Sequence, residues 1–171
     1  MALLKILTYP NPLLKTACKP VEKVTPAIRK LLEDMAETLY AAPGVGLAAP
    51  QVGVLQRVIV VDCQWREEKA KRQLYQLVNP VITHREGKIE WEEGCLSIPE
   101  FLQTMKRSKK VVVEALGPDG KPITVEGEDL TAVCLQHEID HLDGKLIIDK
   151  AGRLKRNLYL EKIQKLERVP L

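Results

Sequence analysis

Two of the three histidines in this chain of 171 residues lie four positions apart, in the segment HEIDH at 137–141. A helix places positions i and i+4 on one face, one turn apart, so both imidazoles can bind the same metal ion. Glu138 lies about 100° around the helix from His137, where its carboxylate suits a general base for metal-activated water better than a ligand. Hydrogen-bonded histidines without a metal are the alternative.

The helix that carries this segment is predicted from about Glu128 to Leu142, with Gly144 after it. Residues 130–136 are apolar on nearly all sides, which is typical of a buried helix. Imidazoles and carboxylates at the end of a buried helix need partners that offset their loss of hydration, and a divalent cation is such a partner. The neighbourhood therefore favours a metal site.

An open catalytic metal site usually has three protein ligands and one position for water, so a third ligand must come from another segment. Cys134 shares the helical stripe with the histidines, but it lies seven residues from His141, or about 10 Å along the axis. Cys95 is a better candidate because it lies in EGCLSIP at 93–99, where glycine and proline exclude a plain helix. An inert buried thiol is the alternative for Cys95, and spacing alone does not decide between the two.

A loop of small residues, GVGLAAPQ at 44–51, can let the backbone of a ligand approach closely, and it ends in the amide side chain of Gln51. In order along the chain, GVGLAAPQ, EGCLSIP and QHEIDHLDG at 136–144 resemble the three motifs of the bacterial peptide deformylases. The ordered set is much more specific than each motif alone, and the resemblance extends over most of the chain.

The resemblance implies a metal-dependent hydrolase that removes the formyl group from the N-terminal formyl-methionine of newly made polypeptides and releases formate. It implies that metal-bound hydroxide attacks the formyl carbon, with Glu138 as acid and base and with Gln51 and the backbone N–H of Leu96 as the oxyanion hole. One divalent metal ion is implied, with Fe2+ expected in the cell and Zn2+, Ni2+ or Co2+ able to replace it. The implied metal ligands are Cys95, His137 and His141.

Further residues suit substrate binding better than chemistry. The glycine-rich segments would expose backbone groups to which a peptide adds as an extended strand, and an apolar slot beside the metal helix would take the methionine. Trp91 and Phe101 are predicted to wall the same cleft. Arg107 is predicted to pair with Glu93 beside Cys95, and a solvated arginine is the alternative. Ordinary core packing is the alternative for each apolar residue. The candidate substrate-binding residues are Gly44, Val45, Gly46, Gly94, Leu130, Val133 and Cys134.

Composition indicates a single catalytic domain over residues 1–171. A chain of this length buries roughly 70% of its surface on folding, and a hydrophobic fraction of 45% supplies an ordinary core. Four widely spaced cysteines without a Cys-x-x-Cys pair fit a reducing cytoplasm rather than a disulfide scaffold. A net charge of +3 is too small to argue for nucleic-acid binding by itself. We expect a cytoplasmic monomer without a secretory or membrane segment.

Hydrophobic patterning indicates a mixed domain of helices and strands. We expect an α+β fold of mostly antiparallel sheets packed around the buried metal-binding helix, with an N-terminal and a C-terminal helix. The N-terminal helix begins after Thr25 as N-cap, with Pro26 in its first turn, and stops at Pro43 and Gly44. The charged, weakly patterned segment 63–72 is predicted to be an exposed loop. Strands are predicted at 58–62, 75–83, 110–116, 123–126 and 145–148. The turn residues GPDG at 117–120 predict that the strands 110–116 and 123–126 form a hairpin.

The C-terminal tail at 150–171 is predicted to be a basic helix, because seven basic and two acidic residues lie between positions 150 and 168. Its partial helical stripe consists of Leu154, Leu158, Ile163 and Leu166. An amphipathic helix that only covers the domain is one interpretation. The family resemblance implies that this helix docks the enzyme on the ribosome near the exit tunnel, and such binding should weaken steeply with salt.

Two other classes of function stay open from the residues alone. A protease of the His-Glu-x-x-His type shares the helix but usually takes His or Glu as its third ligand, which leaves Cys95 and Gln51 without a role. A non-catalytic metal-stabilised module would close its coordination with a fourth protein ligand. Formate release from a formylated peptide, compared with cleavage of an unblocked peptide, distinguishes a deformylase from both.

Overall fold

The computed structural model describes residues 2–66 and 71–168, and within these ranges the chain forms three α-helices and seven β-strands. The helices are α1 (Pro26–Ala41), α2 (Leu130–Leu142) and α3 (Arg153–Arg168). The strands are β1 (Gly46–Ala48), β2 (Val58–Val61), β3 (Tyr75–Glu86), β4 (Ile89–Cys95), β5 (Ile98–Arg107), β6 (Lys110–Leu116) and β7 (Pro122–Glu128). The predicted α+β class is confirmed.

The strands pair with one another in antiparallel fashion, as predicted. The larger sheet has the order β1-β2-β3-β6-β7, and β4 pairs with β5 in a separate hairpin. β1 lies at an edge of the larger sheet, with Gly46 opposite Val61 of β2. β6 and β7 form the predicted hairpin, in register from Lys110 opposite Glu128 to Leu116 opposite Pro122.

Helix α2 is buried against β1, β2 and β7, which explains the almost continuous apolar sequence before its histidines. The N-terminal helix α1 packs elsewhere in the core, against β1 and β2. α1 begins as predicted, because Oγ1 of Thr25 accepts the N–H of Ile28 at 3.3 Å and Pro26 occupies its first turn. α1 buries Ile28, Leu32, Met35 and Leu39, and α2 buries residues 132–136 of its apolar stretch.

The predicted strand at 145–148 is wrong. Residues Ile147–Lys150 form a 3-10 helix instead, and the side chain of Asp149 accepts the N–H of Leu146 at 2.9 Å. This local side-chain hydrogen bond holds the backbone in a tight turn that a strand cannot contain.

The predicted exposed loop at 63–72 is wrong for its first part, because Cys63 and Trp65 are buried. The indole Nε1 of Trp65 donates to the carbonyl of Gly44 at 2.8 Å, and its ring packs edge-on against Tyr40 with centroids 5.1 Å apart. A buried tryptophan needs such a partner for its N–H, and this partner lies far away in sequence. Residues 67–70 of the segment lie outside the described residues.

The C-terminal helix α3 packs on the core through Tyr159 and Ile163, which are four residues apart on one face. Of the apolar stripe seen in the sequence, Ile163 packs on the core, whereas Leu154, Leu158 and Leu166 are 74%, 55% and 63% exposed. Residues 169–171 of the predicted tail lie outside the described residues. Within the described ranges, no helix combines the length and the apolar character needed to cross a membrane.

Candidate active site

Three side chains with metal-binding atoms meet between the end of β4 and α2. The Nε2 atoms of His137 and His141, one helical turn apart, are separated by 3.2 Å. Sγ of Cys95, the last residue of β4, lies 3.4 Å from Nε2 of His141. All three donor atoms lie within 4.8 Å of one another. Long-range packing thus brings together the cysteine and the two histidines that the sequence singled out.

The spacing of these atoms fits one tetrahedral metal ion. With metal–nitrogen bonds of about 2.0–2.1 Å and a metal–sulfur bond of about 2.3 Å, tetrahedral geometry separates two nitrogens by about 3.3 Å and sulfur from nitrogen by about 3.6 Å. The observed separations of 3.2 Å and 3.4 Å are close to these values. A thiolate and two imidazoles are ligands that Zn2+, Fe2+ and Co2+ accept. The residues present therefore fit a divalent cation.

The charges around the two histidines also suit a cation. Burial lowers the pKa of His141 well below 6.5, so its ring is neutral, which is the form that binds metals. Burial also disfavours charge on His137, but hydrogen bonds with Cys95 and Glu93 and the nearby Glu138 outweigh it and raise the pKa of His137. Positive charge is therefore stabilised where these side chains meet.

A buried ion-pair network orients His137. Its Nδ1 lies 2.8 Å from Oε1 of Glu93, which leaves Nε2 for a metal. Arg107 donates to both oxygens of Glu93 at 2.9 Å and to Asp140 at 2.6 Å, which confirms the predicted pairing of Arg107 with Glu93. Burial disfavours the charged form of Glu93, but hydrogen bonds from Arg107 and His137 outweigh it and lower the pKa of this carboxyl. Glu93 therefore stays ionised and holds the ring in one orientation.

Glu138 lies beside the metal-binding atoms without joining them. Its Oε1 is 4.0 Å from Nε2 of His137, and its Oε2 is buried with no hydrogen-bond partner among the described residues. Burial raises the pKa of Glu138 to about 7, which is the range in which a general base works best near neutrality. A Cβ at Gly46 would lie only 2.5 Å from Oε1, so the carboxylate occupies space that only glycine leaves free.

The amide of Gln51 is held on two sides. Its Oε1 accepts the N–H of Ala48 at 2.9 Å, and its Nε2 donates to Oγ of Ser97 at 3.0 Å. Nε2 also lies 3.7 Å from Sγ of Cys95. A Gln51 N–H is therefore directed toward the edge of the metal-binding group.

Leu96 begins the tight turn that joins β4 to β5. Cys95 pairs with Ile98, so Leu96 and Ser97 are the two turn residues. In a two-residue hairpin turn the first N–H is not used by the strand ladder. The N–H of Leu96 thus adjoins Cys95 and is available to a ligand.

An open cleft of about 320 Å³ lies beside these side chains. All seven candidate substrate-binding residues line it, together with Gln51, Leu96, Cys95, His137 and Glu138. Cys134 stays outside the metal-binding group and contributes to the cleft wall. Trp91 lines the cleft as predicted, but Phe101 does not, because it is buried against Tyr159 of α3 at a centroid distance of 5.2 Å. 

Sequence reasoning missed several contacts at this site. It paired Glu93 with Arg107 but did not connect Glu93 to His137, and it gave no role to Ser97 or Asp140. Asp140 could have been suspected, because it stands one residue before a candidate ligand and can pair with a basic residue. Ser97 carried no such signal, since its partner Gln51 lies 46 positions away.

Comparisons with known proteins agree with this geometry. Residues 3–157 match the family model described as polypeptide deformylase. A protein named peptide deformylase from Syntrophobacter fumaroxidans is 47% identical over 165 residues, covering 96% of each chain. Another from Alkalilimnicola ehrlichii is 49% identical over 168 residues, covering 98% of this chain and 93% of the relative.

Comparison with solved structures also finds peptide deformylases. A peptide deformylase from Legionella pneumophila superimposes with a TM-score of 0.88 at 44% identity, covering 98% of this chain and 99% of the other. One from Ehrlichia chaffeensis, solved in complex with actinonin, superimposes with a TM-score of 0.92 at 37% identity, covering 99% of this chain and 100% of the other.

Proposed function

Because this chain belongs to the peptide deformylase family, we propose that the residues gathered beside the cleft carry out the reaction of that family. The protein is a metal-dependent hydrolase that removes the formyl group from the N-terminal formyl-methionine of peptides and releases formate. The observation that carries our assignment of residues is the group formed by Cys95, His137 and His141, with its donor atoms 3.2 Å and 3.4 Å apart.

Cys95, His137 and His141 would hold one divalent metal ion, which we propose to be Fe2+ in the cell, with Zn2+, Ni2+ or Co2+ able to replace it. Such an ion lowers the pKa of a coordinated water from about 15.7 toward 7 and so supplies a nucleophile at neutral pH. Glu93 supports this role because its hydrogen bond to Nδ1 keeps the Nε2 lone pair of His137 on the metal side.

Glu138 moves the proton. Its buried carboxylate would accept a proton from the attacking water and later donate it to the leaving amine. The unpartnered Oε2 and the pKa raised to about 7 both support this role, because they leave an acceptor ready at neutral pH.

Gln51 and Leu96 would stabilise the negative charge that develops on the formyl oxygen. Two N–H donors, one from the Gln51 amide and one from the Leu96 backbone, adjoin Cys95 from different segments. Donors held in place before the reaction are effective because they need no reorganisation as charge develops.

The peptide would bind as an extended strand. β1 is an edge strand of the larger sheet, and the segment Gly44 to Gly46 lines the same cleft as Gly94 of β4. Main-chain hydrogen bonds to such an edge give affinity without reading most side chains, which suits an enzyme that acts on many different polypeptides. The methionine side chain would enter the apolar part of the cleft, whose walls include Val45, Leu130, Val133 and Cys134.

Formate release from formyl-Met-Ala-Ser tests this assignment, with metal analysis of protein purified without oxygen. Glu138→Ala should fold, retain metal and be almost inert. Gln51→Leu should retain metal and lose about 10²- to 10³-fold in rate, as expected when one oxyanion donor is lost. A near-normal rate in either variant would remove that residue from the mechanism.

A protease of the His-Glu-x-x-His type is not favoured. Such an enzyme usually has His or Glu as its third ligand, whereas Cys95 lies in that position here. Cleavage of an unblocked peptide at a rate comparable with formate release would reverse this conclusion.

We further propose a cytoplasmic monomer with one catalytic domain over residues 1–171, whose basic tail at 150–171 docks on the ribosome near the exit tunnel, where newly made formylated chains emerge. The support is the charge of the tail and the exposure of its apolar side chains. Leu154, Leu158 and Leu166 of α3 are exposed and free of the core. A helix that only covered the domain would need apolar side chains on its packed face alone, and these three lie outside that face.

A further inference from the structure

A fully buried serine hydroxyl fixes one end of the Gln51 amide. Ser97 is 0% exposed, and its Oγ accepts a hydrogen bond from Nε2 of Gln51 at 3.0 Å. Because it is buried behind the amide, this hydroxyl does not line the cleft. The hydroxyl can therefore act on the reaction through Gln51 without contacting the substrate.

Three hydrogen bonds fix the Gln51 amide, and one of its N–H groups points to Cys95. The N–H of Ala48 binds Oε1 at 2.9 Å and so determines which end of the amide carries the oxygen. Ser97 takes one of the two N–H groups of Nε2. The other N–H donates to Sγ of Cys95, a weak acceptor, at 3.7 Å. The plane of the amide and the direction of this second donor are both determined before substrate binds.

One N-terminal segment also ties the backbones of both residues together. The N–H of Leu7 donates to the carbonyl of Gln51 at 2.7 Å, and the N–H of Tyr9 donates to the carbonyl of Ser97 at 2.7 Å. The two residues lie 46 positions apart in sequence, so this shared support keeps their separation constant.

We infer that Ser97 is a positioning residue that aims the second N–H of Gln51 at the developing oxyanion. The inference rests on the proposed role of Gln51. Without the hydroxyl, Nε2 loses a buried acceptor and the amide can rotate about its last side-chain torsion, which is a broad and soft one. An N–H that can rotate stabilises the developing oxyanion less than one that is held in place before the reaction.

The test compares Ser97→Ala in two backgrounds, with metal-loaded enzyme and formyl-Met-Ala-Ser as substrate. Alone, Ser97→Ala should lower kcat by about 10-fold, part of the full loss of an oxyanion donor, with KM and metal content unchanged. In a Gln51→Leu background, adding Ser97→Ala should change kcat by less than about 2-fold, because the side chain through which it acts is gone. Ser97→Cys, similar in size but a weak acceptor, should behave like Ser97→Ala.

Thr38→Val is the matched control. Thr38 is also a buried hydroxyl, and its Oγ1 accepts the N–H of Leu4 from the same N-terminal segment at 2.9 Å. Its loss should lower thermal stability and leave kcat unchanged.

A second measurement does not depend on activity. In 15N-labelled, zinc-loaded protein, the side-chain amide resonances of Gln51 are those that vanish in Gln51→Leu. Ser97→Ala should shift them and speed their hydrogen exchange, whereas Thr38→Val should leave them in place.

The outcomes separate the inference from the proposed function. Full kcat in Ser97→Ala, with Gln51→Leu impaired, overturns the inference and leaves the role of Gln51 intact. Equal losses from Ser97→Ala in both backgrounds also overturn it, because they show an effect on structure alone. Full activity of Gln51→Leu overturns the proposed oxyanion role and the inference together.

Discussion

Gly46→Ala tests whether the position of the Glu138 carboxylate determines the rate. Gly46 lies in the extended strand β1, so alanine suits its backbone. The added methyl, however, would lie 2.5 Å from Oε1, 2.8 Å from Cγ and 2.9 Å from Cδ of Glu138. Apart from the residues next to Gly46 in the chain, these three atoms are the nearest to the added methyl. The substitution therefore acts on Glu138 more directly than on the metal ligands.

The expected magnitude follows from these distances. Ordinary contact for a Cβ begins near 3.4 Å, so Oε1 must retreat by 3.4 minus 2.5, or about 0.9 Å. Glu138 is buried on a helix packed against the sheet, so its side chain has to turn rather than its backbone move. A misplacement of about 1 Å at a catalytic group costs on the order of 10²-fold in rate, or about 2.7 kcal/mol.

The assay is formate release from formyl-Met-Ala-Ser, with metal content and thermal unfolding measured on the same preparation. We expect kcat to fall about 10²-fold, with metal content unchanged. Gly152→Ala is the control, because a Cβ there meets nothing within 4 Å, and its kcat should equal that of the wild type.

Two results would refute the reasoning. A kcat within about threefold of the wild type would mean that the carboxylate tolerates displacement and that its position does not limit the rate. Loss of metal in step with loss of activity would mean that the methyl disturbs the ligands rather than the base.

Three further predictions concern other parts of the site and the tail. Glu93→Gln should weaken metal binding about 10- to 100-fold, measured by competition with a chelator, because the partner of His137 loses its charge. In metal-free protein the pKa of Glu93 is lowered, so its charge stabilises the fold above pH 4.5, and this stabilisation is lost as pH falls through the folded pKa. Between pH 6 and pH 3, the free energy of unfolding in urea should therefore fall less steeply for Glu93→Gln than for the wild type. Removing residues 153–171 should abolish co-sedimentation with ribosomes while formate release from a short peptide survives, and unchanged co-sedimentation would reject the docking proposal.

Local chemistry was enough to predict several elements. The N-cap Thr25 with Pro26 located the start of α1, and the apolar run before His137 located a buried helix. The turn residues at 117–120 predicted the hairpin of β6 and β7. In each case neighbours within a few positions carry the signal, so a pattern in the sequence is sufficient.

The hairpin of β4 and β5 was not predicted, although it carries Cys95. Its strands contain many charged residues, and Glu93 and Arg107 point inward, so the alternation of polar and apolar residues is disturbed. These two charges are buried because they pair with each other across the hairpin and with Asp140 of α2. A local pattern cannot distinguish such a pair from two solvated side chains.

The sequence by itself determined the types of the reacting groups and the spacing of two of them. His137 and His141 share a helix face whatever surrounds them, because the helical repeat is a local property of the backbone. Only the tertiary structure decided that Cys95 reaches them, that Glu93 orients His137 and that Ser97 holds Gln51. These contacts join residues 44 to 46 positions apart, and they exist only because the sheet edge, the hairpin and the buried helix pack into one core.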